Sequence, residues 1–276
     1  MINLLKIEWL KIKGYTGFIL LASFFVLGVL ACNYIVYLFI KNVLDKVEVS
    51  KLFLSGSPFD FEKVWTTVSY YSSYFLMLPA LLIVILITNE FNYKTHRQNI
   101  IDGLSRFEFL QVKISMAFIF AIAATLVVII TALMFGLASG TSFSVSGFEN
   151  VGYFLLKAFT YNMVAIIISL LTKRSGVAIA IFFIYTIFEN GVSLFLFLFF
   201  MAVELKRTRG IDWGNMGNYL PMNASDGLLT APFEQFSGMA RDLLPSNYNY
   251  IVLSLALIYL VVFYLWSKRK MLRSDL

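Results

Sequence analysis

The sequence predicts an all-α integral membrane protein: six transmembrane helices, an N-terminal interfacial amphipathic helix, and a short cytoplasmic helix between spans two and three. Three observations carry that expectation. Hydrophobic residues fill 59% of the 276 positions and charged residues only 14%, against about 45–50% and about 25% in soluble domains, so there are too few polar groups to cover a water-facing surface. Six stretches are each long enough for a helix to cross about 30 Å of hydrocarbon, which takes about 20 apolar residues. Within them the apolar residues run continuously instead of alternating, which argues against a barrel. The same composition excludes a soluble enzyme, a disordered chain and a nucleic-acid-binding domain. The net charge of +6 reads as basic residues collected at one membrane face, and no nucleic acid is expected as a partner.

The elements follow in chain order within a single transmembrane domain, 1–276. Residues 1–13 (MINLLKIEWLKIK) place Ile2, Leu5, Trp9 and Ile12 in one helical arc with Lys6 and Lys13 at its margins. That pattern suits a helix lying in the inner interface against membrane lipid. The spans are predicted at 15–40, 66–88, 114–138, 151–171, 176–203 and 248–267. Cys32, the lone cysteine, forms no internal disulfide. The residues ending at Cys32 graze a lipoprotein cleavage box, but the apolar run continues beyond it and is too long for a signal-peptide core of about 7–15 residues. Residues 41–65 read as a polar outer loop and 204–247 as a long outer segment. In the latter, Leu229, Phe233, Phe236, Ala240 and Leu243 recur at helical spacing and predict a short amphipathic helix. The Asn223-Ala224-Ser225 sequon reads as chance, and no internal repeat is visible.

Basic residues orient the spans. Lys6, Lys11 and Lys13, then Lys94, Arg97, Arg106 and Lys113, then Lys173 and Arg174, then Lys268, Arg269, Lys270 and Arg273 fall on one side. These 13 face 8 on the other side, where ten acids make the loops net negative. The richer side is expected to be cytoplasmic, with both termini inside.

Residues 89–113, NEFNYKTHRQNIIDGLSRFEFLQVK, are the most specific stretch. Thr95 with Gln98 and Ser105 with Glu108 have capping-box spacing. Gly103 between them suits a left-handed helix end. A capped short helix near 96–102 is expected, offering Ile100, Ile101 and Arg97 as a small surface to another protein. His96, the single histidine, is expected at the surface of this charged loop. A single histidine on a charged loop argues against a histidine-based metal site or catalytic triad in this chain.

The pattern E-F-x-x-K-T-x-R-Q-x-I-I-D-G-L-S-R, from Glu90 to Arg106, resembles the second–third cytoplasmic loop of bacterial type-2 ABC exporter permeases. The resemblance extends to the basic N-terminal helix, the six spans and the extended outer segment before span six. It implies that the short helix is a coupling helix resting in a cleft of separate ABC ATPase subunits, and that two permease units, a second copy or a paralogue, form the pathway. Glu90, Lys94, Thr95, Arg97 and Arg106 match the loop's characteristic positions, which implies docking and coupling roles for them and for Gln98, Ile100 and Ile101 on the same helix. It implies a bacterial plasma (inner) membrane location, with ATP and Mg held by the partner. The sequence agrees, because it contains no G-x-x-x-x-G-K-[ST] phosphate loop. A permease without its own ATP site, not an enzyme, is expected, with no cofactor of its own; the cargo is not specified.

Two ionisable residues lie within spans, Lys157 and Glu189. Lys157 sits about 9 Å below the outer start of span four and Glu189 about 10 Å below the outer boundary of span five. Buried charges usually pair or face water, so these two are expected either to pair or to line an outer cavity. Pro79 is expected to kink span two near its middle. The adjacent Tyr70, Tyr71 and Tyr74 read as an interfacial aromatic belt. The alternative class is a secondary, ion- or proton-coupled transporter using Glu189 and Lys157. It predicts inverted repeats that the sequence does not display. An intramembrane enzyme would need clustered His, Asp, Ser or Cys at facing depths, and a bare membrane anchor would leave the capped loop unexplained.

Overall fold

The computed structural model describes residues 2–44, 57–204, 215–232 and 247–273, and the regular structure among them is helical. In chain order the helices are α1 (Ile2–Lys13), α2 (Thr16–Leu44), α3 (Val64–Ser73), α4 (Met77–Asn92), α5 (Thr95–Ile101), α6 (Arg106–Ala138), α7 (Glu149–Thr172), α8 (Ser175–Glu204), α9 (Asn223–Asp226) and α10 (Tyr248–Arg273). A 3-10 turn, Met216–Tyr219, precedes α9. Helices α2, α6, α7, α8 and α10 are each long and apolar enough to cross a membrane unbroken. A further crossing is made by α3 and α4 together, bent by 44° at their junction. The chain is a multi-pass, all-α membrane protein. The middle of the 41–65 loop and most of the helix expected over 229–243 lie outside the described residues.

Span two departs from expectation at its kink. The bend falls at residues 74–76, ahead of Pro79, which sits in the first turn of α4. A proline ring collides with the carbonyl four residues earlier, here that of Phe75, and supplies no N–H to it. The helix therefore stops before the clash and restarts with Pro79 where the missing donor has no helical partner anyway. Tight turns bridge the gap: the N–H groups of Phe75, Leu76 and Leu78 donate to the carbonyls of Ser72, Ser73 and Phe75 at 3.1, 3.2 and 3.0 Å. The Phe75 ring lies over Gly28 of α2, where a Cβ would come within 2.5 Å of it.

Helix α7 is the hub. Of its apolar window 78% is buried, against 17–39% for the other unbroken crossings, and it packs on α3, α4, α6, α8, α9 and α10. Lipid is as apolar as leucine, so close approach of small residues and shared polar bonds hold such helices together. Ala158, Asn162, Ala165 and Ser169 make a small, buried face on α7, and Ala117, Ala121 and Ala124 do the same on α6. Across that contact the Asn162 amide donates to the Ala117 carbonyl at 2.8 Å, a bond worth about 0.6 kcal/mol inside a membrane. Packing along the length of the two helices therefore outweighs any one such bond.

Helix α1 lies across α2 and α6, but it is rotated relative to the expected arc. Ile12 and Glu8 are buried and Leu5 half-buried, whereas Trp9 is 47% exposed. The rotation is driven by Glu8, which reaches a buried lysine on α6.

Candidate functional site

The residues of the 89–113 loop are gathered at one end of the bundle, together with α1, the α7–α8 turn and the end of α10. Helix α4 ends at Asn92, and the chain reverses through Tyr93 and Lys94, the latter in the left-handed region at φ 57°. The turn leaves Lys94, not Thr95, at the N-cap of α5, so the expected Thr95–Gln98 capping box does not form. Thr95 is already helical. Its hydroxyl donates to the Glu90 carbonyl at 3.4 Å, and His96 Nδ1 lies 3.0 Å from the same oxygen. That oxygen only accepts, so the imidazole proton sits on Nδ1. These two side chains satisfy an orphan carbonyl at the C-terminus of α4. His96, expected at the surface, is only 7% exposed and packs on the Phe91 ring at 4.5 Å.

The far end of α5 follows the sequence closely. Gly103 has φ 102°. Its N–H donates to the Ile100 carbonyl and that of Leu104 to the Asn99 carbonyl, at 3.1 and 3.0 Å, the paired bonds of a Schellman end. Ser105 then caps α6 in a complete capping box with Glu108. The Ser105 hydroxyl and N–H both donate to Glu108, at 2.7 and 2.9 Å. Helix α5 is thus closed at its C-terminal end, and its first residues close the end of α4. It turns Lys94, Thr95, Arg97, Gln98 and Ile101 outward and keeps Ile100 half-buried; Ile101 is 78% exposed. Gln98 donates to Asp102 at 3.0 Å.

Beneath this surface lies a charge cluster that the sequence concealed. Lys113 of α6, its side chain 5% exposed, donates to Glu8 of α1 and, at 2.8 Å, to Glu90 of α4. Lys11 donates to the same two carboxylates at 2.8 and 3.2 Å. Two acids and two bases cancel. Burial pushes the Glu8 carboxyl up, but Lys113 and Lys11 outweigh it and hold the group below its ordinary 4.5. Burial pulls the Lys11 ammonium down, yet Glu8 and Glu90 raise it above 10.5. Glu90, matched to a docking position, is therefore an internal junction: its carboxylate ties α4 to α1 and α6, and its carbonyl seats α5. Arg106, matched likewise, donates to the Leu272 carbonyl of α10 at 3.0 Å. Ser175 accepts from Thr88 and Asn92 at 2.9 and 2.7 Å, which attaches the α7–α8 turn. All four basic clusters counted in the sequence thus meet at one end.

At the opposite end, Lys157 and Glu189 do not pair with each other. Lys157 pairs with Asp226 at 3.3 Å and donates to Ser73 at 3.0 Å; Tyr161 donates to the same Asp226 at 3.0 Å. Glu189 accepts the N–H groups of Met222 and Asn223, the latter at 3.0 Å. Both charges hold the 215–232 segment, one at each end of α9, against the bundle. Asp226 and Tyr161 were missed because the sequence offered no reason to fold a polar outer loop onto span four. An ion-coupled carrier rested on these two charges, and both are engaged in holding the outer segment. Among the described residues no cluster of His, Cys, Asp or Glu suits a metal ion.

A helical bundle of five unbroken candidate crossings and one bent pair, with a short helix at one end, is the frame of a multi-pass membrane protein. Residues 4–189 match the family model of the ABC-2 family transporter protein, and the chain belongs to that family. It is the membrane subunit of an ABC transporter, from a permease family without its own ATP-binding site that works with ATPase partners. The match takes in most of α1, the 89–113 loop and Glu189, and ends within α8, before α9 and α10. No curated protein and no solved structure matches the chain.

Proposed function

We propose that this chain is the permease subunit of an ATP-driven exporter of the bacterial plasma (inner) membrane, with the α5 end and both termini cytoplasmic. Helix α5 docks on a separate ATPase subunit that holds ATP and Mg, and a second copy or a paralogue completes the pathway. Arg97, Gln98 and Ile101, with Lys94 and Thr95 beside them, make the contact. Glu90 and Arg106 transmit it: Glu90 seats α5 through its carbonyl and ties α4 to α1 and α6, and Arg106 ties α6 to α10. At the other end Lys157 and Glu189 keep the 215–232 segment on the bundle and so shape the outer mouth of the pathway.

One observation carries this reading. Helix α5 exposes an isoleucine and an arginine, while Thr95 and His96 bond it to the Glu90 carbonyl of α4, whose carboxylate is bonded in turn to α1 and α6. A link between two spans needs no such capped, braced projection. An exposed large apolar residue beside a cation suits a partner's pocket, and the rigid base transmits what is done to the tip. Tagged protein purified in mild detergent should bring down an ATPase, and Arg97→Glu or Ile101→Asp should release it while the melting temperature holds, since both side chains are exposed. Retention of the ATPase by both variants would overturn the assignment of α5.

A further inference from the structure

Helix α1 offers the bundle one face and the membrane another. Leu5, Glu8 and Ile12 turn inward, while Lys6, Trp9, Leu10 and Lys13 are exposed along the opposite flank. Lys6 and Lys13 have no ion-pair partner among the described residues. Two hollows meet at Trp9 and Ile119. The inner one, about 260 Å³, is walled by Phe18, Phe25, Pro79 and Ala123 from α2, α4 and α6, and no ionisable residue lines it. The outer one, about 470 Å³, is bounded by Leu5, Leu10 and Met116, and Lys6 is its single ionisable side chain. The inner wall is stiffened by an aromatic run: Trp9 meets Phe18 edge-on at 5.8 Å, and Phe18 stacks on Phe120 at 6.0 Å.

The two hollows form one groove, leading from a lysine-flanked edge of α1 to the bundle flank beside the span-two break. Its size falls within the range of about 300–1,000 Å³ of small-molecule sites. A bore without polar groups and with a cation at its mouth is complementary to an acyl chain carrying an anionic head. We propose that this groove binds an anionic membrane phospholipid, its acyl chain along the Phe18–Ala123 wall and its phosphate against Lys6, with exposed Lys13 two turns further along the same helix adding to the positive field. A zwitterionic lipid brings its own ammonium to those lysines, and a free phosphate has nothing to fill the bore. A basic interfacial helix attracts anionic lipid along its whole length; the groove turns that attraction into one site. Occupancy wedges α1 between lipid and bundle, and the buried carboxylate of Glu8 lies on the same helix.

The test is native mass spectrometry of the full chain, released from detergent after incubation with equal amounts of phosphatidylglycerol and phosphatidylcholine of identical acyl composition. The expected result is one tightly retained lipid, phosphatidylglycerol in preference by several-fold. Each of Lys6→Gln and Lys13→Gln should lower that preference by about fivefold. Ala123→Phe, at an exposed wall position, should abolish retention of both lipids without altering the melting temperature. Equal retention of the two lipids, or a preference unchanged in the double lysine variant, would overturn the site. So would loss of a dimer peak on Ala123→Phe, which would show that a second copy of the chain covers the groove. Inorganic phosphate competing as well as phosphatidylglycerol would reduce it to a surface anion site and refute the bore.

Discussion

Replacing Lys113 by methionine keeps the side chain's length and apolar stem and deletes only its charge. Glu8 and Glu90 then share Lys11 alone, and the cluster carries one uncompensated negative charge. Breaking a buried pair by removing one partner costs about 3–5 kcal/mol. The Lys11 side chain is 41% exposed and can swing to compensate in part, which puts the expected loss near the bottom of that range. The double variant Lys113→Met/Glu90→Gln leaves Glu8 with Lys11, a neutral pair, and should recover most of the loss. Reversible unfolding in mixed micelles gives the three free energies of the cycle, and tryptic cleavage after Lys11 and Lys13 reports whether α1 has lifted. Contacting charges in one network depart from additivity by about 0.5–3 kcal/mol. A double variant whose loss equals the sum of the two singles would refute the idea that the cluster acts as a unit, and with it the wiring of α1 to α4 and α6.

Three further outcomes are expected. The hold of Glu8 on α1 is present above its ordinary value of 4.5, because its folded carboxyl titrates lower, and it fades as pH falls through that lowered value. Lys11, raised above 10.5, contributes fully below that value and fades as pH climbs through the higher one. Tryptic release of α1, read from acid-quenched aliquots after brief pH jumps, should therefore be flat through neutrality and rise at both extremes, and Glu8→Gln should flatten the acid limb. At the opposite end, Glu189→Gln still accepts from Met222 and Asn223 and should change little, whereas Glu189→Leu strands both N–H groups at about 1–3 kcal/mol each. Lys157→Met should free the 215–232 segment to protease and Lys157→Met/Asp226→Asn should restore its protection. Equal effects of the two Glu189 substitutions would show that its carboxylate does not seat α9.

The crossings were legible because each depends on a local property, a long apolar run, and so was the end of α5, where Gly103 and the Ser105–Glu108 pair act within a few residues. Identical spacing misled at Thr95: the two-residue reversal after α4 used Lys94 as the cap, a consequence of where α4 ends that no four-residue pattern encodes. Lys113 looked like one more basic residue at a membrane edge, and its partner Glu8 lies 105 residues away. A signal was nevertheless present. Leu4, Glu8 and Ile12 form one row at four-residue spacing, and a lone acid in a row otherwise apolar asks for a buried base. The Lys157–Glu189 pairing failed because α9, which takes up both charges, comes from a part of the chain with no pattern to announce that it tucks inward.

The 74–76 break has a mechanical meaning. A continuous helix is a stiff rod that carries displacement at one end to the other, and span two is two rods meeting at an angle. One rod, α4, packs on α8 and carries α5, while the other, α3, rests against α6, and both also pack on α7. Between them only turn-type bonds cross, so the joint is where the backbone least resists a tilt of one rod relative to the other.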